Sequence, residues 1–349
     1  MTDFVPPLRL TLDGSALVSN WRALDKRSGA ARAGAAVKAD AYGLGAREVV
    51  ARLRDAGCRD FFVAHWCEAD AIADLIPPEW IAVLNGISSA EVPGARALGA
   101  IPVLNTVEQV ALWRTSGGGR CHIMFDSGIN RLGLGPEQLT AAAVQGVEVD
   151  LLLSHLASAD ADVAQNSAQL SSFQSLVTTV NPKRRSFANS AGIMLGDDYH
   201  FDLTRPGLSL YGGIARREMA AFIKPVVALS ARLLQVRDVP ADTPIGYNAT
   251  HICNADTRVG TISIGYADGY LRAFSGKGPA RVGGHIVPVI GRVSMDLVTL
   301  DLTGIPDIGE GEGDWVEIDY DMISTSALTG LSQYELLTNL GSRFARAWR

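Results

Sequence analysis

Short apolar runs alternate with stretches of helical periodicity through the first two thirds of the chain. Eight runs end in a polar or small residue: Ala33–Lys38, Asp60–His65, Ile81–Gly86, Ile101–Asn105, His122–Asp126, Val147–His155, Arg185–Asn189 and Asp202–Tyr211. The intervening predicted helices include Glu68–Ile76, Ser88–Leu98, Thr106–Arg114, Pro136–Val144 and Ala161–Val180. Because strands that alternate with helices pair in parallel, eight units predict an α/β fold with a closed eight-fold β/α (TIM-type) barrel.

After Lys224 the pattern changes to close-set runs rich in Val, Ile and Thr, with turn residues between them. This texture predicts a C-terminal, mostly antiparallel β domain. The expected boundary gives a barrel domain at residues 1–222 and a β domain at residues 223–349. Gly309–Asp314 is predicted to be an acidic loop, and Ser332–Arg349 a helix that runs into an extended tail.

One lysine follows the first apolar run, in the stretch Gly34–Ala46. The pattern predicts a buried strand, Lys38 at its carboxyl end, and a glycine-punctuated loop into a helix over Arg47–Leu53. Since barrel chemistry lies at the carboxyl ends of the strands, Lys38 is a candidate Schiff-base nucleophile or proton acceptor with a lowered pKa. The alternative is a lysine that extends to solvent or pairs with Asp40.

Composition and charge narrow the class of protein. Hydrophobic residues make up 47% of the 349 residues and charged residues 19%, which suits two domains with large interiors. A net charge of −6 without a basic cluster argues against nucleic acid or a membrane and favours a small-molecule substrate. The four cysteines lack disulfide or zinc-ligand spacing, so no metal is expected. With no leader-like start and no long apolar run, a cytoplasmic location is expected.

Four stretches resemble segments of the alanine racemase family, in that family's order. Val37–Gly45 resembles its pyridoxal-phosphate lysine motif, and Phe125–Gly133 its substrate-arginine segment. Ile264–Gly269 resembles its catalytic-tyrosine segment, and Gly291–Asp296 extends the resemblance into the β domain. The resemblance implies an isomerase that interconverts L-alanine and D-alanine and takes part in D-alanine biosynthesis.

The resemblance also implies a two-base mechanism on an aldimine of pyridoxal 5'-phosphate, whose ring delocalises the carbanion. Lys38 would exchange the Cα proton of D-alanine, and Tyr266 that of L-alanine. Tyrosine has a reference pKa of about 10, so it needs a hydrogen-bonding or cationic neighbour to act as a base near neutral pH. In the family a histidine and an arginine form a chain of hydrogen bonds to this tyrosine, and His155 and Arg205 match them.

Further roles follow from the same resemblance. Arg205 would face the pyridine nitrogen and, as a permanent donor, would disfavour its protonation. The remaining matches are cofactor contacts at Tyr42, Ser190, Gly207 and Leu208, substrate contacts at Arg131 and Met295, and supporting residues Asn130 and Asp296. The β-domain residues are implied to reach the substrate across the interface of a head-to-tail homodimer with shared active sites.

The chain departs from the family pattern near the substrate arginine. Many members carry a carbamylated lysine seven residues before it, but this position is Met124, and Asn130 stands where glycine is common. The amide of Asn130 or a bound anion such as chloride is expected to position Arg131 instead. Ser186 and Ser342 replace a histidine and a phosphate-contacting tyrosine, so those two roles are not assigned here.

Two rival functions fit the sequence. One is an amino-acid racemase of broader specificity, for example toward serine, which shares the carboxylate and amine groups of alanine. The other is a non-catalytic pyridoxal-phosphate-binding protein, against which the Tyr266 and Met295 motifs argue, since such proteins usually lack the β domain.

Overall fold

The computed structural model describes residues 4–305 and 314–349, and the chain divides into two compact units. One unit is Ala16–Lys224; the other joins the segment that ends at Ser15 with Pro225–Arg349. The boundary after Lys224 lies close to the predicted one. The predicted acidic loop at residues 309–314 lies outside the described residues except for Asp314.

The start of the chain corrects the domain assignment, which placed it in the barrel. Leu8–Leu12 is a strand that pairs antiparallel with Val227–Val239 and parallel with Ala345–Trp348. Its leucines are buried and alternate with more exposed residues. Alternation is typical of a sheet covered on one face, whereas barrel strands are buried on both faces. The pattern therefore explains why this strand belongs to the β unit.

The sheet of the barrel unit is parallel throughout. Its segments are Arg32–Ala33, Ala35–Ala36, Phe61–Val63, Ile81–Val83, Ile101–Leu104, Arg120–Met124, Glu148–Leu153, Arg184–Asn189 and Leu203–Arg205. The first two segments form one strand interrupted at Gly34. Since Arg32–Ala33 pairs with the last strand and Ala35–Ala36 with Phe61–Val63, the sheet closes on itself. The predicted eight-fold barrel is confirmed.

The helices of this unit follow the predicted alternation, but the helix predicted at Glu68–Ile76 is found as Trp66–Asp70, followed by turns. The helices span Gly14–Arg27, Ala46–Ala56, Trp66–Asp70, Val92–Leu98, Val107–Thr115 and Ala164–Val180, with 3-10 turns at Pro78–Trp80, Gly192–Leu195, Asp197–Tyr199, Leu208–Tyr211 and Arg217–Ala221. The helix predicted at Pro136–Val144 is wrong, because that segment forms successive turns. The strand predicted to run to Tyr211 ends at Arg205, because Pro206 and Gly207 interrupt it.

The β unit is built around the long strand Val227–Val239. Its other strands are Leu8–Leu12, Pro244–Ile245, His251–Ile252, Thr257–Ile262, Pro279–Val282, His285–Ile290, Val298–Asp301, Trp315–Ile318 and Ala345–Trp348, with helices Met322–Thr329 and Gln333–Thr338 and 3-10 turns Tyr247–Ala249, Tyr266–Asp268 and Arg272–Phe274. All pairings are antiparallel except that between the first and last strands. Within the described ranges, no helix is long and apolar enough to cross a membrane.

A partly buried ionic cluster lies near the amino-terminal ends of the barrel strands. Arg184 donates to Asp60 at 2.8 Å and to Asp150 at 3.0 Å, and Arg120 also donates to Asp150 at 3.0 Å. Asp60 directly precedes the strand Phe61–Val63, and Arg184 begins the strand Arg184–Asn189. These strands are not neighbours in the sheet, so the bond crosses the barrel. His122 is buried beside them, and burial lowers its pKa to about 3, an effect that Arg184 and Arg120 reinforce and Asp150 opposes.

Replacement of His122 by glutamine should flatten the pH dependence of stability. A folded-state pKa far below the unfolded value of about 6.5 means that stability is fully present above pH 6.5 and is lost as the pH falls below it. At about pH 5 the loss from this one side chain amounts to about 2 kcal/mol. The free energy of unfolding in urea can be measured above pH 6.5 and at about pH 5 for wild type, His122→Gln and the exposed control His285→Gln. Equal pH slopes in all three proteins would contradict it.

Candidate functional site

Lys38 lies two residues after the strand Ala35–Ala36, at the carboxyl end of the barrel, and its side chain is half-buried. Burial lowers the pKa of Lys38, Arg131 and Arg205 lower it further, and Glu68 partly opposes them. The alternative pairing with Asp40 is not present among the described residues, since the Asp40 carboxylate accepts the Ala46 N–H at 2.6 Å. The position therefore favours an amine that is readily deprotonated.

The backbone reverses handedness immediately after Lys38. Ala39, Asp40, Ala41 and Tyr42 all have left-handed φ values, between 52° and 58°. Such a conformation costs about 1–2 kcal/mol for each residue with a side chain, so this turn needs support from its surroundings. The sequence pattern predicts a loop here but does not indicate its handedness, because none of the four residues is a glycine or an asparagine.

A small cradle of hydroxyl and amide groups lies beside this turn. Ser190 Oγ accepts the Gly207 N–H at 2.9 Å and the Ser209 N–H at 3.3 Å. A Cβ at Gly207 would lie only 2.3 Å from the Tyr42 hydroxyl oxygen, so only glycine lets the phenol approach this backbone. The N–H of buried Leu208 has no acceptor among the described residues. Hydroxyls and unpaired amides suit an anionic group.

Arg205 ends the last barrel strand and is buried. Its two terminal nitrogens donate to Ser186 Oγ and to the Ser154 carbonyl, both at 2.5 Å, and Ser186 Oγ donates to the Leu203 carbonyl at 2.5 Å. Burial lowers the pKa of Arg205 to about 10, so the guanidinium stays charged at neutral pH. Ser186 thus orients Arg205, a role that the sequence analysis did not assign.

His155 follows the strand Glu148–Leu153 and is half-buried. Burial lowers its pKa to about 3, helped by the positive charges of Arg205, Arg131 and Lys38. The carbonyl of His155 accepts from Gln169 Nε2 at 3.0 Å, and Gln169 Oε1 accepts the Ala157 N–H at 2.9 Å. The imidazole is therefore neutral at physiological pH and is held on a fixed backbone.

The segment that carries Arg131 is a tight turn around Asp126. One oxygen of Asp126 accepts the N–H groups of Gly128, Ile129 and Asn130 at 2.9–3.1 Å. Asn130 has φ 55°, a conformation that asparagine tolerates well and glycine better still. Within the described residues, neither the side-chain amide of Asn130 nor the exposed Arg131 guanidinium has a hydrogen-bond partner. The structure therefore does not show the expected contact between them.

In the β unit, Tyr266 begins a 3-10 turn that packs on the turn around Met295. The N–H groups of Tyr266 and Ala267 donate to the Ser294 and Met295 carbonyls at 3.0 and 3.1 Å. A Cβ at Gly265 would lie 2.2 Å from the Met295 carbonyl oxygen, so this close approach needs glycine. The two motifs are thereby brought together within this unit.

Arg343 bonds to both of these turns, and no sequence motif identified it. It donates to both oxygens of buried Asp268, at 2.6 and 2.7 Å, and to Asp296 at 2.7 Å. Asp268 also accepts the Gly265 N–H at 3.0 Å. The guanidinium of Arg272 lies 5.3 Å from the centre of the Tyr266 ring. The only sequence signal for Arg343 was its position beside Ser342, which the resemblance had singled out.

The barrel and its site define a class of protein. The protein is a β/α-barrel protein with a positively charged site. This site comprises a half-buried lysine, a buried arginine and a cradle of amide and hydroxyl groups, at the carboxyl ends of the barrel strands. In the parts of the chain that the structure describes, no group of three or more His, Cys, Asp or Glu side chains could hold a metal ion.

Comparison with known proteins identifies the family. The model for the alanine racemase N-terminal domain matches residues 12–215, and that for the alanine racemase C-terminal domain matches residues 226–348. The chain therefore belongs to the alanine racemase family.

Relatives of this chain include two proteins of Agrobacterium fabrum. One, a biosynthetic alanine racemase, is 40% identical over 98% of this chain and 94% of its own length. The other, a catabolic alanine racemase, is 39% identical over 97% of this chain and 91% of its own length. The crystal structure of alanine racemase from Bartonella henselae with covalently bound pyridoxal phosphate is 35% identical, with a TM-score of 0.93 over 99% of this chain and all of the other.

Loss of the Arg343 guanidinium should loosen the turns that hold Tyr266 and Met295. In Arg343→Leu the buried Asp268 carboxylate loses both charge-assisted bonds, which should cost about 2 kcal/mol of unfolding free energy. Asp268→Asn should cost less in the Arg343→Leu background than in wild type, because the two side chains act as one unit. Urea unfolding of the two single variants and the double variant measures this coupling. Strictly additive losses would contradict it.

Proposed function

We propose that this protein is an alanine racemase that uses pyridoxal 5'-phosphate and works through Lys38 and Tyr266. The observation that carries the proposal is Lys38 itself, a half-buried amine with a lowered pKa beside a cradle for an anion. The family membership and the names of relatives support the same activity.

The residues present fit this cofactor. Its phosphate would be held by the Tyr42 and Ser190 hydroxyls and by the amides around Gly207 and Leu208. The Leu208 N–H, which lacks an acceptor in the described part of the chain, gives it a donor. The Nε of Arg205, whose terminal nitrogens are already occupied, would face the pyridine nitrogen. Lys38 would bind the cofactor aldehyde carbon.

Racemisation needs a base on each face of the substrate Cα. When bound, pyridoxal phosphate supplies the electron sink that makes the Cα proton removable. In our proposal Lys38 removes or returns the proton on the D-alanine side, and Tyr266 does so on the L-alanine side. Neutral His155 would exchange a hydrogen bond with the hydroxyl of a second chain's Tyr266, and Arg205 would fix the charge beside it.

The substrate carboxylate would bind Arg131, whose guanidinium is exposed and unpaired among the described residues. A planar guanidinium matches a carboxylate with two parallel hydrogen bonds. Met295, with 53% of its surface exposed, would limit the size of the substrate side chain, and Asp296 would hold the Met295 turn through Arg343. Asn130 would support Arg131 by shaping the turn that carries it.

The proposal includes a homodimer in which Tyr266 of one chain serves Lys38 of the other. Exposed apolar side chains of the β unit support it, since Tyr247, Ile252, Met295 and Leu297 are 67%, 53%, 53% and 40% exposed. Exposed apolar groups of this size commonly mark an interface between proteins. A cytoplasmic enzyme that forms D-alanine fits the four free cysteines, which suit a reducing compartment.

A racemisation assay with added pyridoxal phosphate tests the function. Purified protein should interconvert the two alanine enantiomers and act far less on serine, while Lys38→Ala should lose both activity and the borohydride-reducible cofactor adduct. Lys183→Ala, a surface substitution, serves as the control. No exchange with alanine in either direction would refute the proposal, and equal rates with serine would favour the broader racemase.

Tyr266→Phe should separate the two faces of the reaction. Without its hydroxyl the variant loses one base, so washout of α-deuterium should fall about a hundredfold or more from L-alanine and much less from D-alanine. The covalent attachment at Lys38 should be unaffected, as judged by borohydride reduction. Tyr334→Phe, an exposed phenol on the helix Gln333–Thr338, is the matched control. Equal losses from both enantiomers would contradict the assignment of the bases.

Activity should not depend on dissolved carbon dioxide. Met124 cannot be carbamylated, and Arg131 has no partner among the described residues, so an anion from solution is expected to position it. Removal of carbon dioxide should leave kcat and KM for alanine unchanged, whereas replacing chloride with methanesulfonate should raise KM about tenfold. Activity that falls without carbon dioxide and recovers with bicarbonate would show that a carbamate is present after all.

A further inference from the structure

The half-buried side chain of Glu68 connects the Lys38 turn to the neighbouring strand. Its Oε1 accepts the Ala39 N–H at 2.6 Å. Its Oε2 accepts the N–H groups of Ala64 at 2.6 Å and His65 at 3.1 Å. One carboxylate thus receives three backbone donors from two different connections, each at the carboxyl end of a barrel strand.

The two connections follow strands that are adjacent in the barrel. Ala35 and Ala36 pair with Phe61 and Phe62, so the residues after both strands emerge side by side. Glu68 lies on the short helix Trp66–Asp70, where it also completes the capping box with His65. The Glu68 side chain is therefore fixed by its own helix before it reaches across to Ala39.

The bond to Ala39 acts where the backbone needs support. Ala39 is the first residue of the left-handed turn, with φ 53°. Some other bonds of this turn are local, such as Ala41 N–H to the Val37 carbonyl at 2.8 Å and Gly45 N–H to the Asp40 carbonyl at 2.9 Å. The Glu68 bond instead ties the turn to a separate element of the barrel, at the residue next to Lys38.

Charge gives Glu68 a second effect on Lys38. The groups that act on the lysine are Arg131 and Arg205, which lower its pKa, and Glu68, which raises it. Lys38 in turn acts on His155, which is neutral at physiological pH. Glu68 thus supplies the negative charge among these groups that offsets the two guanidinium groups.

We propose that Glu68 is a positioning residue for Lys38: its carboxylate fixes the start of the left-handed turn and balances the positive charge around the lysine amine. The inference rests on the proposed function only for its consequence, which is that Lys38 is held ready for cofactor and substrate. Its geometric basis is independent of any activity.

The test uses Glu68→Gln, which removes the charge, and Glu68→Asp, which keeps the charge but shortens the reach. Glu91→Gln is the matched control, since Glu91 likewise accepts backbone and hydroxyl donors from Ser88 ahead of the next helix, away from Lys38. The first readout is the pH midpoint for acetylation of Lys38 in cofactor-free protein, followed by mass spectrometry. The second is hydrogen–deuterium exchange of the peptide that contains residues 38–46.

We expect Glu68→Gln to lower the labelling midpoint of Lys38 by about one pH unit, because loss of an adjacent negative charge favours the neutral amine. Glu68→Asp should leave the midpoint near the wild-type value. Both variants should exchange the 38–46 peptide about tenfold faster or more, whereas Glu91→Gln should change neither readout.

An unchanged midpoint in Glu68→Gln together with unchanged exchange in both variants would overturn the proposal. If Glu68→Gln does not fold, Glu68→Asp alone decides it, because that variant must still show faster exchange. Failure of the proposed function is distinguishable: wild-type protein would then not racemise alanine, while the labelling and exchange shifts would remain.

Discussion

The reversal of backbone handedness after Lys38 is the constraint on which the barrel end depends. Four consecutive residues with side chains hold left-handed φ values, at a cost of several kcal/mol. Tyr42, the last of them, is tied into the core by its ring, which lies 4.8 Å from that of Tyr211, and the Tyr211 hydroxyl donates to the Ala36 carbonyl at 2.7 Å. The strand end, the turn and the cradle therefore pack as one unit, and this unit sets the orientation of Lys38.

The second determinant is a local charge that opposes the charge of the whole chain. The protein carries a net charge of −6, yet Lys38, Arg131 and Arg205 act on one another at one end of the barrel. Burial keeps His155 neutral and makes the guanidinium of Arg205 costly unless its nitrogens are bonded, as they are to Ser186 and Ser154. Such a site attracts a phosphate and a carboxylate, since its three cations outnumber the single carboxylate of Glu68 that acts on Lys38.

Periodicity predicted the architecture well because strands and helices leave repeating signals, whereas the supports of the site leave none. The eight strands and the lysine at a strand end could be inferred from apolar runs, and motif resemblance supplied Tyr266 and Arg205. The handedness after Lys38 could not be inferred from the sequence, since alanine, aspartate and tyrosine rarely adopt left-handed φ values. Leu8–Leu12 was misassigned because sequence order suggested the barrel, although its alternating burial identifies a one-sided sheet. The hydrogen bond between Glu68 and the Ala39 N–H could not be predicted either, because it depends on two strands that lie side by side in the barrel.

The two units support their key residues by the same physical means. In the barrel, the Glu68 carboxylate gathers three backbone donors around the residue next to Lys38. In the β unit, buried Asp268 accepts two bonds from Arg343 and one from the backbone beside Tyr266. A carboxylate that receives several donors is fixed in orientation, and it fixes the backbone that donates to it. Each proposed base therefore lies beside or within a turn whose shape depends on an ionised side chain outside its motif, Glu68 in one unit and Arg343 in the other. The motif residues alone therefore do not specify the geometry of the site.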